Sequence, residues 1–450
     1  MAQRLVAIVG AGPAGLFVAG DLAKAGCDVV LLNRDIKPGG LVEYGVFPTK
    51  YRFKGGLRRQ FHKTLSREGV HYRGRVMVGQ DAALTVADLE AIGFDAILLA
   101  VGAQGTKLIG IPGERGDGVY HAKDLVYHYN RLPPFSGRVY PIGPRVVVIG
   151  VGNVMVDIVN WLNHFVQREL DDEIEVVALS RTVPRFRKWV DKELKDIATA
   201  IDVDSMAAEV ERLRGELERV GEEPDEDLKA LVKYAAPADE RSRTRWWVKW
   251  LVQPAEVQRD EDGRCVGLLV HHLRPEAREG GGRPKVQMTG ETELIPADNV
   301  VLAVGDIVDL RFGLPAHTWG FRTWDELEEG GDPYRLVNAD MTGPSDNMFV
   351  VGWAREASSG LVGNARKDAR MAARSILGFL EGRAEAERSV SARLDLLDAA
   401  LEERGLGVID YGMVGRLEGE ERSRAEANPE DELEGKFISD AEMLALLAGG

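Results

Sequence analysis

Cysteine is almost absent: Cys27 and Cys265 are the only two in 450 residues, far apart and in no C-x-x-C pair. That excludes a disulfide framework and a dithiol relay. Long apolar runs are missing too. No stretch approaches the roughly 20 apolar residues of a membrane span, and Met1-Ala-Gln-Arg4 leads into a strand without the apolar region of a secretory signal, so a cytoplasmic protein is expected. Basic charge is in deficit, with 57 Lys and Arg against 72 Asp and Glu and a net charge of −15. A nucleic-acid partner, which needs a basic face, is not expected. The eight histidines show no ligand spacing, and adjacent His271 and His272 point to opposite faces of a strand, so no metal site is indicated. What remains is a globular composition, 44% hydrophobic, long enough for two to three domains.

Glycine is placed where it carries chemistry. Two glycine-rich turns, Gly10-Ala-Gly12-Pro13-Ala14-Gly15 and Gly150-Val-Gly152-Asn153-Val154-Met155, each follow an apolar strand-like run, Leu5 to Val9 and Val146 to Ile149. In a strand–turn–helix unit the first glycine makes the bend and the second lets backbone approach a pyrophosphate. The helix N-terminus adds unpaired N–H groups and a positive dipole end. Two such turns predict two dinucleotides and electron transfer between them. The first belongs to a βαβ unit with a helix from about Ala14 to Ala25 and a strand from Asp28 to Leu32, which ends at Asn33-Arg34 instead of the usual acid. The Asn33 amide still offers a hydrogen bond to a ribose hydroxyl without the strength of a carboxylate, and Asp35 is a substitute if the turn carries it back.

Two further runs nearly copy each other, Asp95-Ala-Ile-Leu-Leu-Ala-Val-Gly102, followed by Ala103, and Asn299-Val-Val-Leu-Ala-Val-Gly305. Each reads as a buried parallel strand stopping at a glycine, where the chain leaves the sheet close to a ligand or crosses between domains. The second turn leads through a helix, Asn153 to Phe165, and a strand, Ile174 to Leu179, to Ser180-Arg181-Thr182-Val-Pro-Arg185-Phe-Arg187. No acid stands there to grip a 2′-hydroxyl, and three arginines suit a 2′-phosphate. Residues 205 to 245 are helical in period, with one packing stripe from Met206 to Val220. Gly280 to Gly282 reads as a hairpin tip. Near the end, a helix at Ser389 to Glu403, an acidic solvated stretch at Glu418 to Glu434 and a last helix from Ser439 are expected. A strand ending at Gly352 and a small-residue loop precede a helix beginning near Gly360, whose N-terminus suits a reduced flavin.

In this order of motifs, from Val6 to Leu447, the chain resembles the adrenodoxin reductase-like ferredoxin–NADP reductases, relatives of the glutamate synthase small subunit. The flavin turn of that family matches Gly10 to Gly15, and its flavin-covering loop matches Pro38-Gly39-Gly40-Leu41-Val42 with Tyr44-Gly45-Val46. Its second turn, G-x-G-N-V-A-x-D, matches Gly150 to Asp157, with Asn153 near the pyrophosphate. Its phosphate clamp aligns with Arg181-Thr182, and its Lys-Glu-Leu with Lys192-Glu193-Leu194. Its Gly-Trp loop corresponds to Gly352-Trp353 through Ser359-Gly360-Leu361-Val362, and its C-terminus to Gly435-Lys436-Phe437-Ile438-Ser439.

The resemblance implies an α/β fold of two Rossmann-like dinucleotide-binding domains, the NAD(P) domain inserted in the FAD domain. The expected boundaries are 1–106 and 325–450 for the FAD domain, with a C-terminal helical extension, and 107–324 for the inserted one. It implies FAD and NADP as cofactors, with NAD left open, and a ferredoxin-like iron–sulfur protein as partner. Hydride transfer from NADPH to the flavin would be followed by one-electron steps. It also implies Trp353 as a cover for the flavin face, Gly360 and Leu361 as backbone donors, and Glu193 as a pocket acid. Arg185 and Arg187 would support the clamp. Lysines 195, 229 and 233, and the run Arg52, Lys54, Arg58, Arg59 and Lys63, are candidate docking cations. Four positions depart from the pattern: Thr182 for a clamp arginine, Met155 for a small residue, Asn33 for the ribose acid, and Thr49-Lys50 for an Asp-His pair, which puts the Lys50 cation near the flavin. An electron-input subunit of a larger complex and a nucleotide-binding redox sensor are the alternative readings.

Overall fold

The computed structural model describes residues 4–48, 51–168, 170, 172–184, 191–237, 243–280, 282–357, 362–427, 433 and 435–449, with the side chains of 51–53, 168, 191–193 and 231 excepted. The sheet-building strands are β1 (Leu5–Val9), β2 (Asp28–Asn33), β3 (Val70–Gly74), β4 (Ala96–Leu99), β5 (Val119–His121), β6 (Arg145–Ile149), β7 (Ile174–Ser180), β8 (Thr244–Trp250), β9 (Val252–Arg259), β10 (Cys265–Glu276), β11 (Lys285–Pro296), β12 (Asn299–Leu302), β13 (Arg335–Val337) and β14 (Pro344–Val350). The helices that cover them are α1 (Pro13–Lys24), α2 (Tyr51–Leu65), α3 (Val86–Ile92), α4 (Ala122–Tyr129), α5 (Asn153–His164), α6 (Val203–Arg219), α7 (Pro224–Val232), α8 (Val362–Glu381), α9 (Val390–Glu403), α10 (Tyr411–Ala427) and α11 (Asp440–Ala448).

The chain forms two compact units. Met1–Lys107, Asn130–Gly137 and Gly305–Gly450 make the first, and Leu108–Tyr129 with Arg138–Val304 make the second. The second is thus inserted in the sequence of the first. The first boundary falls one residue after the expected 106, but the return comes at 304/305, about twenty residues before the expected 324. The reason is local packing. Asp306–Ile307 pairs antiparallel with Gly105–Thr106, and Val308 and Phe321 are buried in the core of the first unit.

The first sheet has the order β13-β14-β4-β1-β2-β3, parallel except for β13. Every residue of β1 is buried, as a strand covered on both faces requires. Val6 and Ile8 face a core built with α1, α8, α10 and Phe437, while Leu5, Ala7 and Val9 face one built with α3 and α9. The second sheet, β5-β12-β6-β7-β8, is wholly parallel. The antiparallel sheet β9-β10-β11 covers the face that carries Val147, Ile149, Val177 and Leu179.

The stripe Met206, Val210, Leu213 and Leu217 is the buried face of α6, as its period predicts. The expected solvated stretch from Glu418 is a correction. As far as Ala427 it is helix α10, with Leu417 buried and Glu421 paired to Lys37, and residues 428–432 and 434 lie outside the described ones. Val414 and Leu417, just before the stretch, seat the helix in the core, and Arg424 pairs with Glu420 and Glu442, so the acidic residues continue it. Among the described residues no helix is long and apolar enough to cross a membrane, and no cluster of potential metal ligands exists.

Candidate functional site

Each parallel sheet reverses its strand order at the strand preceding a glycine turn: β1 lies between β2 and β4, and β6 between β7 and β12. Such a reversal opens a crevice at the carboxyl ends of the strands. In the first unit the chain bends at Gly10, with φ +108°, and enters α1 at Pro13. A Cβ on Gly10 would land on the carbonyl oxygen of Ala100, just beyond β4, so both dihedral and space demand glycine. The second unit repeats this: Gly150 has φ +119°, and a Cβ there would land on the carbonyl of Ala303, just beyond β12. The two near-copied runs therefore do the same job, each pressing an alanine carbonyl against the first glycine of a turn.

The helix ends match as well. Gly12 caps α1 and Gly152 caps α5, neither helix has a side-chain cap, and a Cβ on either glycine would meet open space. Orphan N–H groups at an uncapped N-terminus with room beside it fit the pyrophosphate of a dinucleotide. The residues present thus fit both expected cofactors.

Around the first turn three other segments close in. Gly39 donates its N–H to the Ala11 carbonyl at 2.8 Å, and Gly40, with φ +51°, would bring a Cβ within 2.9 Å of the Gly12 Cα. Gly352, with φ +68°, stands so close that a Cβ would lie 2.9 Å from that of Ala14. Asp368 in α8 holds this corner, accepting from the Gly352 N–H at 2.7 Å, Arg355 at 2.8 Å and the Tyr334 hydroxyl at 3.1 Å. Burial, reinforced by Asp368, pushes the Tyr334 phenol up to about 12. Sequence reasoning gave Asp368 no role. Its one signal was an acid early in the helix that follows the loop.

A family model described as pyridine nucleotide-disulphide oxidoreductase matches residues 4–236, more than half of the chain. The chain belongs to that family. The NADPH-ferredoxin reductase FprA of Mycobacterium tuberculosis is 29% identical over 395 residues, covering 82% of each chain. The mitochondrial NADPH:adrenodoxin oxidoreductase of Salvelinus fontinalis is 26% identical over 454 residues, 94% of this chain and 87% of that one. The solved structure of Mycobacterium tuberculosis FprA in complex with NADPH superposes with a TM-score of 0.76 at 26% identity, over 99% of this chain and all of that one. The resemblance to the adrenodoxin reductase type holds over nearly the whole length, and the chain is an oxidoreductase of a family that binds FAD and NADP(H).

The first turn brings together Gly10, Gly12, Pro13, Ala14, Gly15, Gly40 and Gly352. Half-buried Trp353 sits on the short helical turn Gly352–Ala354, and Leu41, Gly45 and Val46 form or follow the turn Leu41–Tyr44. Gly102, with φ +67°, and buried Ala103 lie where the chain leaves β4.

Asn33 has a structural task at the end of β2. Its Oδ1 accepts from the Ala11 N–H at 3.0 Å, and its Nδ2 donates to the carbonyls of Asp35 and Lys37 at 2.8 and 3.0 Å and lies 3.2 Å from the Tyr72 hydroxyl. The buried amide is thus engaged by the chain through both of its polar atoms, with one Oδ1 lone pair left over. Arg34 is exposed and pairs with Asp35 at 3.0 Å, so neither is unengaged.

In the second unit Asn153 and Val154 open α5, Asp157 lies one turn on, and Met155 is wholly buried. At the end of β7, Thr182 Oγ1 lies 3.2 Å from Ser180 Oγ, and Arg181 is exposed without an ion pair among the described residues. Lys50, Arg185, Arg187, Ser359, Gly360 and Leu361, and the side chain of Glu193, lie outside the described residues. Val362 is the first residue of α8.

Of the expected docking cations near the flavin loop, Lys54 turns inward, a correction, while Arg58 stays part-exposed as it reaches a buried carboxylate. Lys54 is buried, donating to Asn130 Oδ1 at 3.0 Å, and Arg58 embraces Glu43 through Nε and Nη2 at 2.8 and 2.9 Å. Burial alone would raise the Glu43 pKa, but Lys436, Lys37 and Arg58 outweigh it and hold the carboxyl well below the usual range.

Proposed function

We infer that this oxidoreductase is an FAD-dependent NADPH–ferredoxin reductase. The observation that carries the reading is the pair of uncapped glycine turns, each at the strand-order reversal of its own parallel sheet. One dinucleotide site would serve FAD and the other NADPH, in keeping with relatives named NADPH-ferredoxin reductase and NADPH:adrenodoxin oxidoreductase.

In the first unit Gly10 to Gly15 and the N-terminus of α1 would hold the FAD pyrophosphate. Gly39 and Gly40 close over the turn, and Trp353, on the Gly352 corner that Asp368 pins, would screen the flavin from water. In the second unit Gly150 to Asn153 would hold the NADPH pyrophosphate, and Arg181 would meet the 2′-phosphate, a role suited to a planar, permanently charged donor. When bound, the FAD supplies a hydride acceptor that can release its electrons singly, which NADPH cannot do.

The electron acceptor is proposed to be an acidic iron–sulfur protein. Although the chain carries −15, α2 contains no acidic residue and exposes Arg59 and Lys63, while α8 exposes Arg366, Lys367, Arg370 and Arg374. Both helices pack on α1, and Arg366 hydrogen-bonds Gln60 between them. A local basic face steers a partner within a Debye length of about 8–10 Å whatever the net charge.

Anaerobic titration of the purified protein tests the reading. About one FAD per chain, reduced by stoichiometric NADPH faster than by NADH, with electrons passed on to a ferredoxin, is the expected result. A protein that takes up no FAD, or whose flavin NADPH leaves oxidised, overturns it.

A further inference from the structure

The last segment of the chain enters the first dinucleotide site from 393 residues away. Lys436 is 8% exposed and donates from Nζ to Glu43 Oε1 at 2.7 Å; Glu43 is 6% exposed. The same carboxylate takes the two hydrogen bonds of Arg58, and the Glu43 carbonyl accepts from Lys54 Nζ at 3.3 Å. Glu43 lies in the turn Leu41–Tyr44, and its N–H bonds the carbonyl of Gly40, the residue packed on the Gly12 Cα. One rigid path therefore runs from the C-terminal segment to the glycine turn: Lys436, Glu43, Gly40, Gly12.

The anchor end is equally fixed. Phe437 is buried in the core, its N–H donates to Glu421 Oε1 at 3.3 Å, Glu421 also pairs with Lys37, and the Ser136 hydroxyl donates to the Ile438 carbonyl at 2.6 Å. Lys436 thus projects from a segment with little freedom to move. A buried carboxylate is tolerated only while its cations stay in place, so its position is dictated by theirs.

We propose that Glu43 is a positioning residue for the dinucleotide held at the first glycine turn, and that Lys436 of the C-terminal segment locks it there. The proposal rests on reading the first unit as the flavin unit. It gives the C-terminal segment a task besides packing: without it the Gly39–Gly45 turn loses its outer anchor, and the loop over the FAD pyrophosphate loosens.

The test compares wild type with Lys436→Met, Glu43→Gln and the double variant, each as the full chain. Two readouts are used: the FAD dissociation constant from flavin fluorescence, and amide hydrogen exchange across residues 39–45. Lys436→Met leaves the buried Glu43 with only the part-exposed Arg58 and with Lys37, which is itself paired to Glu421, and should weaken FAD on the order of tenfold or more and speed exchange in the turn. The double variant removes charge from both partners and should recover most of the affinity lost by Lys436→Met, since replacing both members of a buried pair costs far less than stranding one. FAD affinity within twofold of wild type in Lys436→Met, or a double variant no better than the single, overturns the proposal. So does faster exchange confined to α10 and α11. Should wild type bind no FAD, the flavin reading fails, while the exchange comparison on the flavin-free proteins still decides whether Lys436 holds the turn.

Discussion

The two glycine turns share a plan and differ in how much of the molecule each enlists. Both bend at a left-handed glycine pressed by an alanine carbonyl, and both open onto an uncapped helix. Beyond that they diverge. A Cβ on Gly15 would strike the Gly10 carbonyl oxygen, whereas the matching position of the second turn holds the whole buried side chain of Met155. The first turn is embraced by Gly39, Gly40, Gly352, Asp368 and, through Glu43, by Lys436. A turn so enclosed suits a cofactor that stays through many cycles. The strand end after the second turn leaves Arg181 exposed, which suits a substrate that must come and go.

The sharpest way to break this contrast is Gly15→Val. A branched side chain driven into the Gly10 carbonyl forces backbone to move, at a cost of about 3 kcal/mol or more. The expected outcome is a colourless or poorly folded chain, read by flavin absorbance and circular dichroism. The shortening Met155→Ala should instead cost about 2–5 kcal/mol in the second unit as a cavity while leaving FAD content intact. Loss of FAD by Met155→Ala would erase the distinction between the turns.

Next in size is Arg181→Ala. Loss of one charge-assisted contact to a 2′-phosphate is worth roughly 1.5–3 kcal/mol, about 10- to 150-fold in NADPH affinity. NADH binding should be spared. Equal losses for both nucleotides would remove the clamp role from Arg181.

Asn33→Asp separates a ribose contact from a scaffold. A ribose contact would strengthen with a carboxylate. Here the new oxygen would face the carbonyls of Asp35 and Lys37, so the variant should lose roughly 1–3 kcal/mol of stability without binding FAD more tightly. Thermal melting and FAD titration check it.

Acidification acts on the first turn through Glu43. Its folded pKa is depressed, so its contribution is fully present above the unfolded value, 4.5, and is lost as pH falls through the folded one. FAD retention should therefore hold from neutrality down through the ordinary carboxylate range and fail only as the pH nears the depressed folded value, and Glu43→Gln should flatten that limb. An unchanged limb in Glu43→Gln would assign acid release of FAD to other carboxylates.

The smallest effect is expected at the surface. Arg59→Glu with Lys63→Glu should raise the apparent KM for a ferredoxin several-fold in low salt and leave dye reduction unchanged, because exposed charges steer encounters more than they bind. A dye rate that falls equally would place the fault in the cofactor sites.

Much of the site was legible because dinucleotide binding constrains backbone, and backbone constraints appear as glycines at fixed spacing after apolar strands. Gly10, Gly12, Gly15, Gly150 and Gly152 needed no partner to be recognised. Gly305 marked the crossing back between units, yet the boundary was expected at 324, because nothing local shows that Phe321 completes a core built from residues far earlier in the chain. Asn33 is legible as a candidate ribose contact from its place after β2, but its scaffold role is not. Only the fold brought Ala11, Asp35 and Lys37 around its amide. Arg58 and Lys54 looked like surface cations because a helical run of basic residues reads the same whether it faces solvent or a buried carboxylate. The sequence by itself determined the turns, the strands beneath them and the helices that start there, since those obey rules of a few residues' reach. Tertiary structure alone decided which charges meet in the interior, as with Lys436 and Glu43, because burial removes competing water and lets residues 393 apart act as neighbours.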